Sequence, residues 1–168
     1  MSCKLELGCG ASPRLESTSE DPVVFHDIAK HSPFVNCAHD LDVLPWPWTD
    51  ERFDEIFAID VFEHLKVDIE EWLSECWRIL KPGGHLTLRV PEASSWHAMA
   101  DPTHRRLFHW ITFDYWNPES RWHKDYGQYY GFAAKKQWWH VQEKRKVETP
   151  TEYGLLTDLI FALQKETI

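Results

Sequence analysis

The sequence predicts a single α/β domain built around a mostly parallel, twisted sheet. Three observations support this fold class: the chain has 168 residues, its first ninety residues alternate short apolar runs with loops, and one clear amphipathic helix lies within that alternation. Such an alternation is typical of an α/β sheet. A chain of this length buries one hydrophobic core and is too short for two ordinary domains. We therefore expect residues 1–168 to form one domain.

Five short segments of the first half have the composition of strands that are covered on both faces of a sheet. They are apolar or β-branched, and turn residues separate them. They therefore predict the parallel part of the sheet. The predicted strands are Lys4 to Leu7, Val23 to His26, Val35 to Ala38, Glu55 to Ile59 and His85 to Val90.

Only twelve residues, 11–22, lie between Gly10, just after the first predicted strand, and the second predicted strand. Parallel neighbours need a crossover of a dozen or more residues, usually a helix. Pro13 and Pro22 restrict helix formation further. We therefore expect a reduced first crossover without the usual first helix.

The best helix is predicted over Ile69 to Leu80, where apolar residues recur at helical spacing. Asp68 is a suitable N-cap residue, and Glu71 lies three positions further on, as in a capping box. The run Lys81-Pro82-Gly83-Gly84 ends the helix. The apolar stripe indicates that this helix supports the sheet.

The second half has a different composition. Of the 24 aromatic residues, 13 lie between Ser94 and Trp139, in a stretch of poor periodicity. We interpret residues 94–137 as an aromatic-rich insertion or lid. Two final strands, Trp138 to Val147 and Thr157 to Gln164, are expected to close the edge of the sheet. We expect most of seven aromatic residues in the insertion to be core and two or three to line a pocket: Trp96, Trp110, Trp116, Trp122, Tyr126, Tyr129 and Tyr130.

Charge and composition exclude several classes of function. The net charge of −9 disfavours nucleic acid and anionic membranes as partners. No stretch approaches the roughly 20 apolar residues of a membrane span. The four cysteines form no CxxC pair, and the first ten residues lack an export leader, so we expect a cytoplasmic protein with reduced thiols. The sequence leaves the oligomeric state open.

A glycine turn follows the first predicted strand. Gly8-Cys9-Gly10 lies at the carboxyl end of that strand, where open α/β sheets bind ligands. Asp27 ends the second predicted strand, where a carboxylate can accept hydrogen bonds from ribose hydroxyls. Each signal alone is also compatible with an ordinary turn or an incidental acidic residue.

Further motifs follow in a specific order, and together they cover residues 3–91. This order resembles class I (Rossmann-like) S-adenosylmethionine-dependent methyltransferases, and the spacing is most similar to a compact branch with a shortened first crossover. The resemblance implies an antiparallel edge strand. The motifs are ELGCG, the acidic residue after strand two, DL before LPWPW, FDEIFAIDVFEHL and RILKPGGHLTLRVP.

The resemblance implies S-adenosylmethionine as the cofactor and assigns its contacts. The glycine turn borders the methionine part, Asp27 holds the ribose, Asp40 and Leu41 meet the adenine, and Asp60 lies near the sulfonium. The full set of implied cofactor-binding residues is Glu6, Gly8, Cys9, Gly10, Asp27, Asp40, Leu41 and Asp60.

Candidate catalytic residues lie just beyond the fourth predicted strand. Glu63 and His64 could activate an oxygen acceptor of high pKa, and His104 from the insertion could join them. Alternatively, His64 caps or packs the following helix. A third interpretation is a divalent metal site formed by Asp60, Glu63, His64 and His104; the sequence allows a metal without favouring it.

The leading hypothesis is therefore methyl transfer to an oxygen or nitrogen atom of a small molecule, such as a glycan or a biosynthetic intermediate, with residues 94–137 covering the acceptor site. One alternative is a non-catalytic S-adenosylmethionine-binding module that recognises a protein partner. Another is a nicotinamide-dependent oxidoreductase, which the missing third glycine of the dinucleotide fingerprint disfavours.

Overall fold

The computed structural model describes residues 2–130 and 135–166, and these contain a seven-stranded sheet. Its strands, in chain order, are β1 (Lys4–Leu7), β2 (Val23–Asp27), β3 (Cys37–Ala38), β4 (Phe53–Ile59), β5 (Leu80–Pro91), β6 (Trp139–Thr151) and β7 (Gly154–Lys165).

The spatial order of the strands is β3-β2-β1-β4-β5-β7-β6. The first five strands pair in parallel, whereas β7 runs antiparallel to both β5 and β6. The predicted fold class and the antiparallel edge are thus confirmed. The third strand is shorter than predicted, and the β6–β7 hairpin is longer than predicted on both of its strands.

The described helices are α1 (Ile69–Ile79), α2 (Trp96–Ala100) and α3 (Arg121–Asp125), with 3-10 turns at Thr112–Trp116 and Gly127–Tyr129. In residues 2–130 and 135–166, no helix is long and apolar enough to cross a membrane.

Helix α1 forms where the apolar spacing predicts it. The capping box between Asp68 and Glu71 is present. Trp72 is completely buried and stacks on Phe62 with 4.0 Å between ring centroids. The helix ends at Ile79, and the chain passes directly into β5. This packing anchors the loop after β4, which carries the candidate catalytic residues.

The first crossover contains no helix, as predicted. Its place is taken by a loop held by one side chain: buried Glu6 accepts hydrogen bonds from the backbone amides of Arg14 and Leu15 at 2.9 Å each. A carboxylate that satisfies two amides keeps the glycine turn and the loop in a defined conformation.

The segment between β5 and β6 packs partly into the core. Phe108, Phe113 and Trp116 are buried there. The prediction that most of the seven tryptophans and tyrosines are core is wrong, because only Trp116 is buried. Short helical turns leave few inward-facing positions, so the other six rings remain exposed: Trp96, Trp110, Trp122, Tyr126, Tyr129 and Tyr130. Residues 131–134 of the predicted insertion lie outside the described residues.

Candidate active site

The glycine turn after β1 adopts a conformation that favours glycine. Gly8 has a φ of +61° and Gly10 a φ of +62°, both in the left-handed region. A Cβ at Gly8 would lie 2.6 Å from Cγ2 of Val61, so the position of the neighbouring loop also requires a residue without a side chain here. At Gly10 a Cβ would meet no atom within 4 Å. The turn therefore brings bare backbone close to the loop after β4.

A cleft of about 350 Å³ opens at the carboxyl ends of the parallel strands. Five of the eight predicted cofactor-binding residues line it together: Gly8, Asp27, Asp40, Leu41 and Asp60. The remaining lining residues are His26, Ile28, His39, Asp42, Val61, His64 and Leu65. The cleft lies where open α/β sheets bind ligands.

The other three predicted cofactor residues do not line this cleft. Glu6 is 1% exposed and holds the first crossover loop. Cys9 is buried, and its backbone amide donates to the carbonyl of His26 at 2.9 Å. The amide of Gly10 donates to Oδ2 of Asp27 at 2.9 Å. These three residues therefore stabilise the turn from positions outside the lining of the cleft.

Carboxylates dominate the polar wall of the cleft, and the backbone orients several of them. Asp27 also accepts from the amide of Ile28 at 2.7 Å. Asp42 accepts from the amides of Lys66 and Val67 at 2.7 and 3.0 Å, which connects the loop after β3 to the loop before α1. Asp40 is exposed and accepts from the amide of Asp42 at 3.0 Å. The wall is thus acidic and locally rigid.

Asp60 lies at the boundary of the cleft and is paired with an arginine. Its φ is +59°, an unusual value for a residue with a side chain. Nε of Arg89 donates to Oδ1 of Asp60 at 2.9 Å, and Nη2 of Arg89 donates to Oδ2. Hydrogen bonding to Asp60, together with the charge of that carboxylate, raises the pKa of the Arg89 guanidinium. The Asp60 carboxylate therefore forms a two-point ion pair with Arg89.

A second cavity of about 250 Å³ adjoins the cleft and shares Asp60 and His64 with it. Its walls come from three places: the loop after β4, the end of β5 with β7, and the segment that follows β5. The lining residues are Asp60, Glu63, His64, Arg89, Pro91, His97, Asp101, His104, Leu156 and Asp158. The cavity thus includes all three predicted catalytic residues.

Glu63 is the most unusual group of this cavity. Its side chain is 1% exposed, and neither carboxyl oxygen has a hydrogen-bond partner among the described residues. Burial raises the pKa of Glu63 to about 8; the backbone amide of Glu63 and the charge of Arg89 act in the opposite direction, and the charges of Asp60 and Asp158 reinforce the rise. A buried carboxyl group without partners is rare in folded proteins.

His64 and His104 stand beside Glu63, with 4.7 Å between their ring centroids. Nδ1 of His64 lies 2.9 Å from Oγ1 of Thr103, and Nδ1 of His104 lies 3.0 Å from the carbonyl oxygen of Ala98. Burial and the neighbouring His104 lower the pKa of His64. One potential ligand atom from each of Glu63, His64 and His104 lies within 4.8 Å of the others; Asp60 is not part of this trio.

Three further polar residues of the site escape the sequence analysis: Arg89, Ser95 and Asp158. Ser95 Oγ lies 2.8 Å from Nδ1 of His97, and Nε2 of His97 lies 3.0 Å from Oδ1 of Asp158. For Arg89 and Asp158, the available sequence signal is a charged residue within an apolar strand, in the segments LTLRV and TDLIF. His97 itself lies within the predicted insertion, residues 94–137.

The strand order and the ligand cleft at the carboxyl ends of β1, β2 and β4 define an α/β domain of the Rossmann-like class. A family model described as a methyltransferase domain matches residues 5–88, half of the chain. The chain therefore belongs to the methyltransferase domain family, as the motifs predict, and this membership implies S-adenosylmethionine as the cofactor. No curated protein matches the sequence.

Solved structures share the fold at low sequence identity. A Bacillus halodurans protein assigned as a methyltransferase superimposes with a TM-score of 0.62 at 16% identity, over 98% of this chain and 93% of its own. An Archaeoglobus fulgidus S-adenosylmethionine-dependent methyltransferase gives 0.62 at 17% identity, over 98% and 86%. The [4+2]-cyclase SpnF gives 0.63 at 14% identity, over 99% and 76%. The fold alone therefore does not specify the reaction.

Proposed function

We propose that this protein transfers the methyl group of S-adenosylmethionine to an oxygen or nitrogen atom of a small-molecule acceptor. The observation that carries the proposal is the junction of two cavities at Asp60 and His64. One cavity has the chemistry of a cofactor site, and the other has polar groups that can accept a proton from the methyl acceptor.

The charge of the cleft supports the cofactor. S-adenosylmethionine carries a positive sulfonium and a positive ammonium group, and Asp27, Asp40 and Asp42 line the cleft together with Asp60, whose charge Arg89 offsets. Opposite charges attract most strongly where water is partly excluded. A dinucleotide would bring two negative phosphates against the same wall, which disfavours the oxidoreductase alternative.

The lining also suits an adenosine. Asp27 presents oxygens that can accept from ribose hydroxyls, and Asp40 can accept from an adenine amino group. Leu41, Val61 and Leu65 give apolar surface for the base. The absence of a side chain at Gly8 allows close approach to the backbone. The described residues therefore fit the cofactor.

The bound cofactor supplies an activated methyl carbon, so positioning of the acceptor accounts for much of the catalysis. The acceptor atom forms its bond to that carbon as the carbon–sulfur bond breaks, and the acceptor proton passes to a group of the protein. His64 borders both cavities, and its lowered pKa keeps the imidazole neutral and able to accept a proton near pH 7. Glu63 and His104 lie beside it.

The segment 94–137 contributes to the acceptor side of the proposed site. His97, Asp101 and His104 line the second cavity. The backbone amide of Arg105 donates to the carbonyl of Glu63 at 2.6 Å, which fastens the segment to the loop after β4. This contact supports a covering role for the segment.

The decisive experiment is isothermal titration of the full chain with S-adenosylmethionine and S-adenosylhomocysteine, with NADH as the control. We expect both sulfur nucleosides to bind and NADH not to bind. A radiolabelled methyl group would then report transfer to a panel of small hydroxyl and amine acceptors. Folded protein that binds neither sulfur nucleoside would overturn the proposal; binding without transfer to any acceptor would favour the non-catalytic module.

His64→Ala separates the roles of the two cavities. We expect this variant to lower kcat while the Kd for the cofactor stays within twofold of the parent. His39→Ala is the matched control, because His39 lines only the cofactor cleft. Full activity of His64→Ala with the true acceptor would remove His64 from the catalytic residues.

A further inference from the structure

Glu63 is a buried group that lacks a partner. Both of its oxygens are shielded from solvent, and neither forms a hydrogen bond with another described residue. A polar group in this state destabilises the fold unless a proton, a water molecule or an ion satisfies it. Glu63 lines the second cavity, so such a partner would occupy the space beside His64 and His104.

The two histidines are oriented in the manner of metal ligands. A carbonyl oxygen only accepts hydrogen bonds, so the contact with Ala98 places the proton of His104 on Nδ1. Thr103 donates its hydroxyl proton to Asp101 at 2.6 Å and therefore accepts from Nδ1 of His64. Both rings then present Nε2 as the nitrogen with a free lone pair. Hydrogen bonds that fix the second ring nitrogen are characteristic of metal-binding histidines.

We propose that Glu63, His64 and His104 bind a divalent first-row transition ion in the second cavity. One ligand atom from each residue lies within 4.8 Å of the others, which is the spacing of atoms around a shared ion. Two imidazoles and one carboxylate suit zinc, iron or manganese better than calcium or magnesium, which prefer oxygen ligands. Asp60 is ion-paired with Arg89 and is not part of this ligand set.

Three protein ligands leave coordination positions open towards the cavity. This part of the inference rests on the proposed methyl transfer: with an ion bound, His64 acts as a ligand and not as a free base. A hydroxyl group in contact with a divalent ion would release its proton to solvent water far more readily than a free hydroxyl group, and its oxygen would then bond to the methyl carbon as the carbon–sulfur bond breaks. The site therefore favours an oxygen acceptor over an amine.

The site also connects two distant parts of the chain. Glu63 and His64 belong to the loop after β4, whereas His104 belongs to the segment after β5. An ion held by all three would reinforce the hydrogen bond between Arg105 and Glu63 and fix the segment over the cavity.

The test is titration of EDTA-treated, dialysed full-length protein with Zn²⁺ by calorimetry and with Co²⁺ by visible absorption. Glu63→Gln and His104→Gln each remove one ligand with little change in volume. His97→Gln is the matched control, since His97 lines the same cavity with Nε2 against Asp158. Circular dichroism of every variant establishes that it is folded.

We expect one Zn²⁺ per chain, Co²⁺ absorption bands typical of nitrogen and oxygen ligands, and unchanged binding by His97→Gln. Each ligand variant should bind at least about tenfold more weakly. Equal affinity of the parent, Glu63→Gln and His104→Gln, or no binding by the folded parent, would overturn the metal site. Cofactor titration of the same samples separates the two proposals, because Glu63 and His104 do not line the proposed cofactor cleft.

Discussion

One carboxyl group of the second cavity, Glu63, differs from the aspartates of the adjoining cleft. In the proposed cofactor cleft, Asp27 and Asp42 each accept two hydrogen bonds from backbone amides that lie nearby in the fold. In the second cavity, Glu63 is more deeply buried and accepts none from the described residues. The cleft is therefore organised by its own backbone, whereas the second cavity contains a group whose partner must come from elsewhere.

The largest expected effect tests whether Glu63 is unsatisfied. Its pKa in the folded state is about 8, above the ordinary value of 4.5, so the folded state retains a proton that the unfolded chain releases. In metal-free protein, stability is unaffected by this group below pH 4.5 and falls as the pH rises towards 8, by about 4 kcal/mol at most. Urea denaturation at pH 5 and pH 8 in EDTA measures the fall. Glu63→Gln should reduce it; equal pH dependence in both proteins would remove the contrast between the cavities.

A second test concerns the rigidity of the cleft. Gly8→Ala should destabilise the protein by about 2 to 4 kcal/mol, since alanine pays for the left-handed φ and also collides with Val61. Gly10→Ala is the matched control, because it has the same φ and open space. Its cost should stay near 1 to 2 kcal/mol, about the left-handed penalty alone. Equal unfolding free energies for the two variants would show that the turn and the loop after β4 are not in contact.

Asp27→Ala tests whether the carboxylate of Asp27 contributes to cofactor binding. Loss of two acceptor oxygens should weaken S-adenosylmethionine binding by roughly 1 to 3 kcal/mol, as measured by calorimetry. Asp27→Asn keeps one acceptor oxygen and should fall between the parent and alanine. An affinity equal to that of the parent would contradict the ribose-binding role.

The smallest effect is expected from Asp40→Ala. Asp40 is exposed, and a hydrogen bond that competes with water contributes about 0.5 to 1.5 kcal/mol at most. We expect a loss of affinity for S-adenosylmethionine smaller than that of Asp27→Ala, with no change for a cofactor analogue that lacks the adenine amino group. A larger loss than that of Asp27→Ala would reverse the assignment of the two carboxylates.

The sequence predicts the elements whose determinants are local. The apolar spacing and capping box specify α1, and the glycine turn with Asp27 marks the cleft, because strand ends in a parallel sheet meet at one edge. The pairs Asp60–Arg89 and His97–Asp158 are not predictable in this way, because they join residues that are 29 and 61 positions apart. The β4–β5 register brings the first pair together, and the packing of α2 against β7 brings the second pair together.

The exposed aromatic residues illustrate a second limit. Trp122 and Tyr129 have the composition of core residues, yet 36% and 79% of their surfaces are exposed. Composition predicts burial only where a regular element offers an inward face, and the turns of this segment are too short for that. The third strand is shorter than its apolar run for a related reason: only His26 and Asp27 of β2 are within pairing register of it.

The helix-free first crossover has an electrostatic consequence. A helix that begins after β1 would direct the positive end of its peptide dipoles towards the cleft. Here the positive charge at that edge comes from a side chain, Arg14, whose guanidinium lies 3.9 Å from Asp60 and is 47% exposed. Dissolved ions screen an exposed side chain more effectively than dipoles held within a fold. The affinity of this cleft for a ligand carboxylate should therefore depend on ionic strength more steeply than that of a cleft bordered by such a helix.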